Sequence, residues 1–243
     1  MQTVVVGSTL TEGLKKYFGF SKFKGRQEEI ISNLLSGNDT FVIMPTGGGK
    51  SLCYQLPALI SEGTAVVVSP LIALMKNQVD AIRGHSDEEK VAHYLNSSLT
   101  KSQIALVKAD IREGKTKLLY VAPESLTKNE NIEFLKGINV SFFAIDEAHC
   151  ISQWGHDFRP EYRALTVLHE RFASVPRIAL TATADAITRA DIVERLQLEE
   201  ARTFISSFDR PNIRYTIVAK KDPSLQLLRF IQREHPGEAG VVY

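Results

Sequence analysis

A lysine and a serine close a run of three glycines in Phe41-Val-Ile-Met-Pro-Thr-Gly-Gly-Gly-Lys-Ser51. Glycines let backbone N–H groups turn inward and approach an anion closely. Thr46, Gly47, Gly48 and Gly49 make the loop. Lys50 offers a mobile positive charge to outer phosphates, and Ser51 a hydroxyl for Mg²⁺. The apolar run Phe41 to Met44 reads as a buried strand, and the segment after Ser51 has helical spacing. The loop therefore opens a helix, whose N-terminal dipole favours an anion. Met44 stands where the usual G-x-x-x-x-G-K-[ST] pattern has its first glycine. A glycine-rich surface turn is the alternative; a strand before and a helix after argue against it.

A second group sits at the end of another apolar run. Val140-Ser-Phe-Phe-Ala-Ile145 leads straight into Asp146-Glu147-Ala-His149. Asp146 there can hold a hydrated Mg²⁺ that bridges terminal phosphates, and Glu147 can orient and deprotonate a water. Adjacent carboxylates in a cleft are costly without a compensating cation, which favours a metal site. Alone, Asp-Glu also suits a solvated turn opening a helix. Thr181 and Thr183 follow a further apolar run. They could relay the phosphate state through hydrogen bonds, but on physics alone an N-cap for a helix near Asp185 is favoured.

Two aromatic stretches flank these groups. Cys150-Ile-Ser-Gln-Trp-Gly-His-Asp-Phe-Arg-Pro160 holds the sole tryptophan, Trp154, with His156, Phe158 and Arg159 nearby. Aromatic and cationic residues interleaved on a loop suit single-stranded nucleic acid, at about 1–3 kcal/mol per stacked base. A satellite core cluster built on a structural tryptophan fits the composition equally well. His156 has no evident partner ligands and reads as a packing or hydrogen-bonding residue. Upstream, Phe20, Lys24 and Gln27 could hold an adenine by stacking and by an amide on the base edge. Equally, Phe18, Phe20 and Phe23 could be core and Gln27 a solvated helix start.

The elements that must position these groups alternate. Strands are expected at Phe41 to Met44, Thr64 to Ser69, Lys117 to Ala122, Val140 to Ile145 and Arg177 to Thr181. Helices are expected at Thr9 to Phe18, Pro70 to Ile82, with proline near its first turn, and Ser102 to Glu113. Alternation indicates an α/β fold with a mostly parallel central sheet covered by helices on both faces. Ligands bind at the carboxyl ends of such strands, where the groups above fall.

The totals are those of an ordinary globular chain: 243 residues, 44% hydrophobic, 23% charged, formal net charge +1. Cys53 and Cys150 cannot make a metal site alone and lack CxxC spacing. The first residues lack a basic signal-peptide region, and the longest apolar stretch, Ala65 to Met75, is too short to span a bilayer. A cytoplasmic or other intracellular protein, nucleoid-associated if bacterial and with no membrane partner, is expected.

The set of motifs closely resembles the RecQ family of superfamily-two helicases. The resemblance rests on Phe18-Gly-Phe…Phe23…Gln27, Met-Pro-Thr-Gly-Gly-Gly-Lys-Ser51, Ser69-Pro-Leu-Ile-Ala-Leu-Met-Lys-Asn-Gln78, Leu95-Asn-Ser-Ser-Leu99, Leu119-Tyr-Val-Ala-Pro-Glu124, Asp146-Glu-Ala-His149, Ile151 to Tyr162, Leu180-Thr-Ala-Thr-Ala184 and Ser207-Phe-Asp-Arg-Pro-Asn-Ile213. It covers nearly the whole chain. It implies a RecA-like three-layer fold and an ATP-dependent DNA helicase moving from 3′ to 5′, with ATP and Mg²⁺ as cofactors. It implies adenine contacts from Phe20, Lys24 and Gln27, with Lys24 standing where the family usually has arginine and Arg26 as the competing cation. It implies phosphate contacts from Gly47 to Ser51, Mg²⁺ through Asp146 and water activation by Glu147. Trp154, Phe158 and Arg159 would sense single-stranded DNA, and His149 with Thr181 and Thr183 would relay to the carboxylates.

The resemblance also implies a division: residues 1–207 as the first motor lobe, and 208–243 as a connector and the start of a second. The second lobe's glycine-arginine motif is absent, and such an arginine finger is worth ~10³–10⁵ in rate. The chain alone is thus expected to bind ATP–Mg²⁺ weakly and turn it over slowly or not at all. The rival reading is a nucleic-acid or partner platform without turnover. A guanine switch lacks support, since no Asn-Lys-x-Asp pattern occurs.

Overall fold

The computed structural model describes residues 7–86, 89–155, 157–207, 214 and 216–242, with side chains from Leu10 onward. The chain divides into two units, residues 1–208 and 209–243.

In the first unit the order is α1 (Gly7–Phe18), α2 (Gln27–Leu35), β1 (Thr40–Ile43), α3 (Leu52–Ile60), β2 (Thr64–Val68) and α4 (Ile72–Gly84). Next come β3 (Ala92–Leu95), α5 (Lys101–Arg112), β4 (Leu118–Val121), α6 (Pro123–Leu126), α7 (Asn129–Lys136) and β5 (Val140–Ile145). Then follow α8 (Val167–Arg171), β6 (Arg177–Thr181), α9 (Ala186–Leu196) and β7 (Arg202–Ile205). Among the described residues the strands form one seven-stranded sheet in the order β3-β4-β2-β5-β6-β1-β7. Every pairing is parallel.

The five expected strands are all present. β1, β2, β4 and β6 are buried along their whole length, as strands covered on both faces must be. Alternate residues feed two cores. Phe41, Ile43, Val66, Val68, Phe143 and Ile145 pack with residues of α5, α6, α7, α8 and α9. Val42, Met44, Ala65 and Val67 pack with residues of α2, α3 and α4. Each such side chain contributes about 1.5–3 kcal/mol by leaving water. Leu10 and Leu14 of α1 close a smaller cluster with Ile31, Leu52 and Leu56.

β3 and β7 were not expected, and both are edge strands. Each is four residues long; β7 buries only Phe204, and β3 leaves His93 and Tyr94 partly exposed. Half-solvated strands carry polar residues, so no apolar run marks them. α4 begins at Ile72 rather than at Pro70. Leu71 is extended at its N-cap, and the Pro70 carbonyl instead accepts a 2.8 Å hydrogen bond from Arg159. No helix among the described residues is long and apolar enough to cross a membrane.

In the second unit, α10 (Pro223–Glu234) is capped by Asp222, which accepts from the Leu225 N–H at 3.1 Å. The connector residues 208–213 and 215, and Tyr243, lie outside the described residues. Residues 240–242, at the end of the stretch expected to begin a second lobe, have no regular structure.

Candidate functional site

β1 and β5 end on the same edge of the sheet, separated by β6. The Met44 N–H donates to the Thr181 carbonyl at 3.0 Å, and the Asp146 N–H to the Val68 carbonyl at 2.9 Å. The phosphate loop and the carboxylates therefore rise from strand ends held in register.

Backbone conformation makes the loop. Gly47 and Gly49 have φ of +78° and +84°, where a side chain is strained. Gly48 is required by contact: a Cβ there would lie 2.5 Å from Met44 Cγ and 2.9 Å from the Pro45 carbonyl oxygen. A Cβ on Gly49 would meet Gln27 Nε2 at 2.4 Å. Gln27 is only 4% exposed, so it is no solvated helix start. Its Nε2 donates to the Gly49 carbonyl at 3.1 Å and its Oε1 accepts from the Lys24 N–H at 2.8 Å.

Lys24 Nζ donates to the Gly47 carbonyl at 3.3 Å. Arg26 instead pairs with Glu29 at 3.0 Å and stacks on Phe204 at 4.7 Å. Of the two cations, Lys24 is the one at the loop. Phe18 and Phe23 pack on the α1 cluster. Phe20 does not; its residue is 57% exposed, with an aromatic face open to a ligand. Lys50 Nζ donates to the Met44 carbonyl at 3.2 Å.

Asp146 is buried at the end of β5. Burial pushes its carboxyl up to about 6, and the neighbouring Glu147 carboxylate adds to the rise. The Glu147 N–H, the Lys50 charge and the Tyr54 phenol pull the other way. Lys50 is thus near enough for its charge to act on Asp146, although the two follow strands that are not neighbours. Tyr54 OH lies 3.5 Å from Asp146 Oδ2 and also bonds the Ser51 side chain. Behind it, Tyr54 packs edge-on against Tyr120, whose hydroxyl accepts from Gln55 Nε2 at 3.1 Å. Gln55 Nε2 also donates to Gln78 Oε1 on α4 at 2.7 Å. Tyr162 OH donates to the Asp146 carbonyl at 3.0 Å.

The residues fit a metal–triphosphate. A buried carboxylate whose burial is opposed by one lysine is short of positive charge, and the glycine loop tied to it through Ser51 and Tyr54 has no room for a Cβ at Gly48 or Gly49.

Glu147 takes the left-handed conformation, φ 49° and ψ 46°, which turns the chain sharply after β5. His149 then folds back. Its Nδ1 lies 2.9 Å from Thr181 Oγ1 and 3.4 Å from Glu147 Oε2. Thr181 Oγ1 donates to the Thr183 carbonyl at 3.1 Å. The N-cap reading of these threonines fails: Asp185 caps α9 by accepting the Thr188 N–H at 2.8 Å, which leaves Thr181 to bond His149.

The aromatic loop departs from His149. Trp154 is 70% exposed, so a structural core tryptophan is ruled out. The Trp154 N–H donates to Ser152 Oγ at 3.2 Å. Gly155 lets the loop close, since a Cβ there would lie 2.5 Å from the His149 carbonyl oxygen. Arg163 stacks over Phe158 at 4.9 Å. Arg159 pairs with Asp157 at 3.0 Å and spans to Pro70. His156 lies outside the described residues.

Tyr54, Tyr162, Cys150 and Asp157 were not foreseen at this site. Tyr54 had one usable signal, its place one helical turn after Lys50. The others depend on how the loop after β5 folds back, which no spacing reveals.

A sequence model described as DEAD/DEAH box helicase matches residues 24–192. The chain is 47% identical over 243 residues to the ATP-dependent DNA helicase RecQ of Haemophilus influenzae, covering 100% of this chain and 39% of that protein. It is 50% identical over 235 residues to the protein of the same name in Pasteurella multocida, covering 97% and 37%. The chain therefore spans less than two fifths of the length of these relatives. Among solved structures, the Pyrococcus furiosus Hef helicase domain matches with a TM-score of 0.58 at 20% identity, covering 76% of this chain and 38% of that one. The DNA-bound DUF1998 helicase MrfA matches with a TM-score of 0.61 at 17% identity, covering 81% and 29%. These two show the shared fold.

Proposed function

The chain belongs to the DEAD/DEAH box helicase family, and from that premise we propose that it is the ATP- and Mg²⁺-binding first motor lobe of a RecQ-like DNA helicase. In this reading residues 1–207 are the lobe, and 208–243 connect to a second lobe of the same polypeptide. The observation that carries it is the link between the two loops through Tyr54, which bonds the Ser51 side chain and lies 3.5 Å from Asp146 Oδ2, while Glu147 lies 3.4 Å from His149 and the His149 carbonyl accepts from the Ser152 N–H at 3.1 Å, where the tryptophan loop begins.

Phe20 stacks on the adenine, and Gln27, fixed by Lys24 and the loop carbonyls, reads the base edge. Loop N–H groups from Thr46 to Ser51 hold the phosphates, and Lys50 turns from the Met44 carbonyl to the terminal ones. Ser51 and Asp146 would hold Mg²⁺, which when bound neutralises charge on the outer phosphates. Glu147 orients the attacking water and accepts its proton on a carboxylate oxygen, while His149 Nδ1 fixes that carboxylate. Trp154 and Phe158 stack on bases of single-stranded DNA. Arg159 transmits the loop's position to Asp157 and to the segment before α4.

The test is DNA-stimulated ATP hydrolysis by the full-length protein. Glu147→Gln should keep nucleotide binding and lose turnover. ATP bound by the full-length protein but never hydrolysed, with or without DNA, would instead establish a binding platform. The 243-residue chain alone should hydrolyse ATP slowly or not at all.

A further inference from the structure

Three electron-pair donors converge where the aromatic loop leaves the carboxylates. His149 Nε2 lies 3.8 Å from the Cys150 sulfur, and that sulfur lies 3.8 Å from Asp157 Oδ2. One ligand-type atom from each residue falls within 4.8 Å of the other two. His149 and Cys150 are buried, whereas the Asp157 side chain is half-exposed, so the group opens to solvent on one side.

The Thr181 bond favours one histidine tautomer. Thr181 spends its hydroxyl proton on the Thr183 carbonyl, so Thr181 Oγ1 receives a proton from His149 Nδ1. Glu147 Oε2, 3.4 Å from the same nitrogen, reinforces that tautomer. In that tautomer Nε2 presents a lone pair 3.8 Å from the thiol sulfur. A histidine whose far nitrogen donates to a carboxylate is also the arrangement found behind metal ligands. Tetrahedral zinc, with Zn–S near 2.3 Å and Zn–N near 2.0–2.1 Å, has S···N edges of roughly 3.5–3.6 Å. The two separations from the sulfur need contract by only a few tenths of an ångström, whereas the His149–Asp157 edge, within 4.8 Å, must close further toward the ~3.3 Å of a tetrahedral site, which the half-exposed Asp157 side chain can supply by rotating.

We propose that His149, Cys150 and Asp157 form a zinc site with water in the fourth position, and that zinc bound there clamps the aromatic loop and suppresses its response to DNA. Binding replaces the S–H bond by a Zn–S bond and releases the thiol proton to solvent. Arg159 competes for Asp157 Oδ2, from 3.0 Å, so the metal must share or displace that contact. The ligand spacing is not that of a structural finger, and three protein ligands leave an open position. Both features suit a reversible, inhibitory site rather than one that holds the fold. The binding claim stands on this geometry; the inhibitory claim rests also on the helicase reading above.

The chain has two cysteines, Cys53 and Cys150, which makes the test clean. The metal-free 243-residue chain is titrated with cobalt(II), and the thiolate-to-cobalt charge-transfer band is followed together with proton release. We expect the band with about one proton per ion; Cys53→Ser keeps it, Cys150→Ser loses it, and Asp157→Asn weakens affinity at least about ten-fold. If Cys150→Ser fails to fold, Asp157→Asn carries the test. No thiolate band in the unaltered chain, or a band that follows Cys53, overturns the site. For the full-length protein, zinc should inhibit DNA-stimulated hydrolysis reversibly with chelator, and Asp157→Asn should shift the half-inhibiting zinc concentration at least about ten-fold. Cobalt binding in the chain without any such shift would overturn the clamp while leaving the site intact.

Discussion

The loop after β1 and the loop after β5 stand on the same edge of the sheet but are built from opposite materials. The first is backbone. Its shape is fixed by glycines at positive φ and by Gln27 and Lys24 bonding its carbonyls. The second is mostly side chains: an aspartate held by Tyr54 at its carboxylate and by Tyr162 at its backbone carbonyl, a histidine bonded to a threonine, an arginine reaching across to Pro70. A backbone cradle recognises an anion common to every nucleotide. A chain of side-chain contacts can report whether something sits on Trp154. Under the proposed function the difference assigns binding to one loop and signalling to the other, and each of the following outcomes tests that division in the full-length protein.

The largest effect should come from Lys50→Ala. Loss of that charge should lower ATP turnover on the order of 10²–10³-fold whether or not DNA is present. A defect confined to the DNA-stimulated rate would break the comparison. Next, Trp154→Ala should abolish most of the DNA stimulation while nucleotide affinity stays near normal. Because the side chain is exposed, the melting free energy should change by no more than about 0.5 kcal/mol. A large loss of stability would return Trp154 to a packing role. Tyr54→Phe should be milder. It keeps the ring packed on Tyr120 and removes the phenol from Asp146, a loss of about 0.5–1.5 kcal/mol. A several-fold higher Mg²⁺ requirement for hydrolysis is expected, without a change in DNA affinity.

The smallest effect lies outside both loops and calibrates them. Burial, then the Arg83 charge, lowers the His93 pKa below its ordinary 6.5, and Lys90 with His93 holds Asp110 low. At these two groups the unfolded chain therefore takes up protons first. Their contribution to stability should be complete above pH 6.5 and decline as pH falls below it, first through His93 and then through Asp110, opposed by the gain as Asp146, raised to about 6, is protonated in the fold. His93→Gln should flatten the upper part of that slope in melting curves of the chain, leaving ATP turnover per folded molecule unaltered.

The buried strands were readable because each is a mostly apolar run bounded by turn or polar residues, and β5 and β6 match their expected bounds residue for residue. β3 and β7 were not, because a strand with one wet face does not display that run. The phosphate loop was legible for a related reason: its chemistry is local, carried by neighbours in sequence. The Asp146 environment was only half legible. Its partners Tyr54 and Tyr162 come from 92 positions upstream and 16 downstream, and only folding brings them together. Thr181 gave the wrong expectation because N-capping is a local rule, and here a distant histidine supplies the partner.

Glu147 occupies a backbone region that costs a residue with a Cβ about 1–2 kcal/mol and a glycine almost nothing. Replacing it with glycine would therefore be expected to make the domain harder to melt and useless as a hydrolase. Any screen that rewards thermal robustness alone would drift towards that exchange. If Glu147 has the role proposed for it, the domain keeps that carboxylate only for as long as something other than folding selects for it.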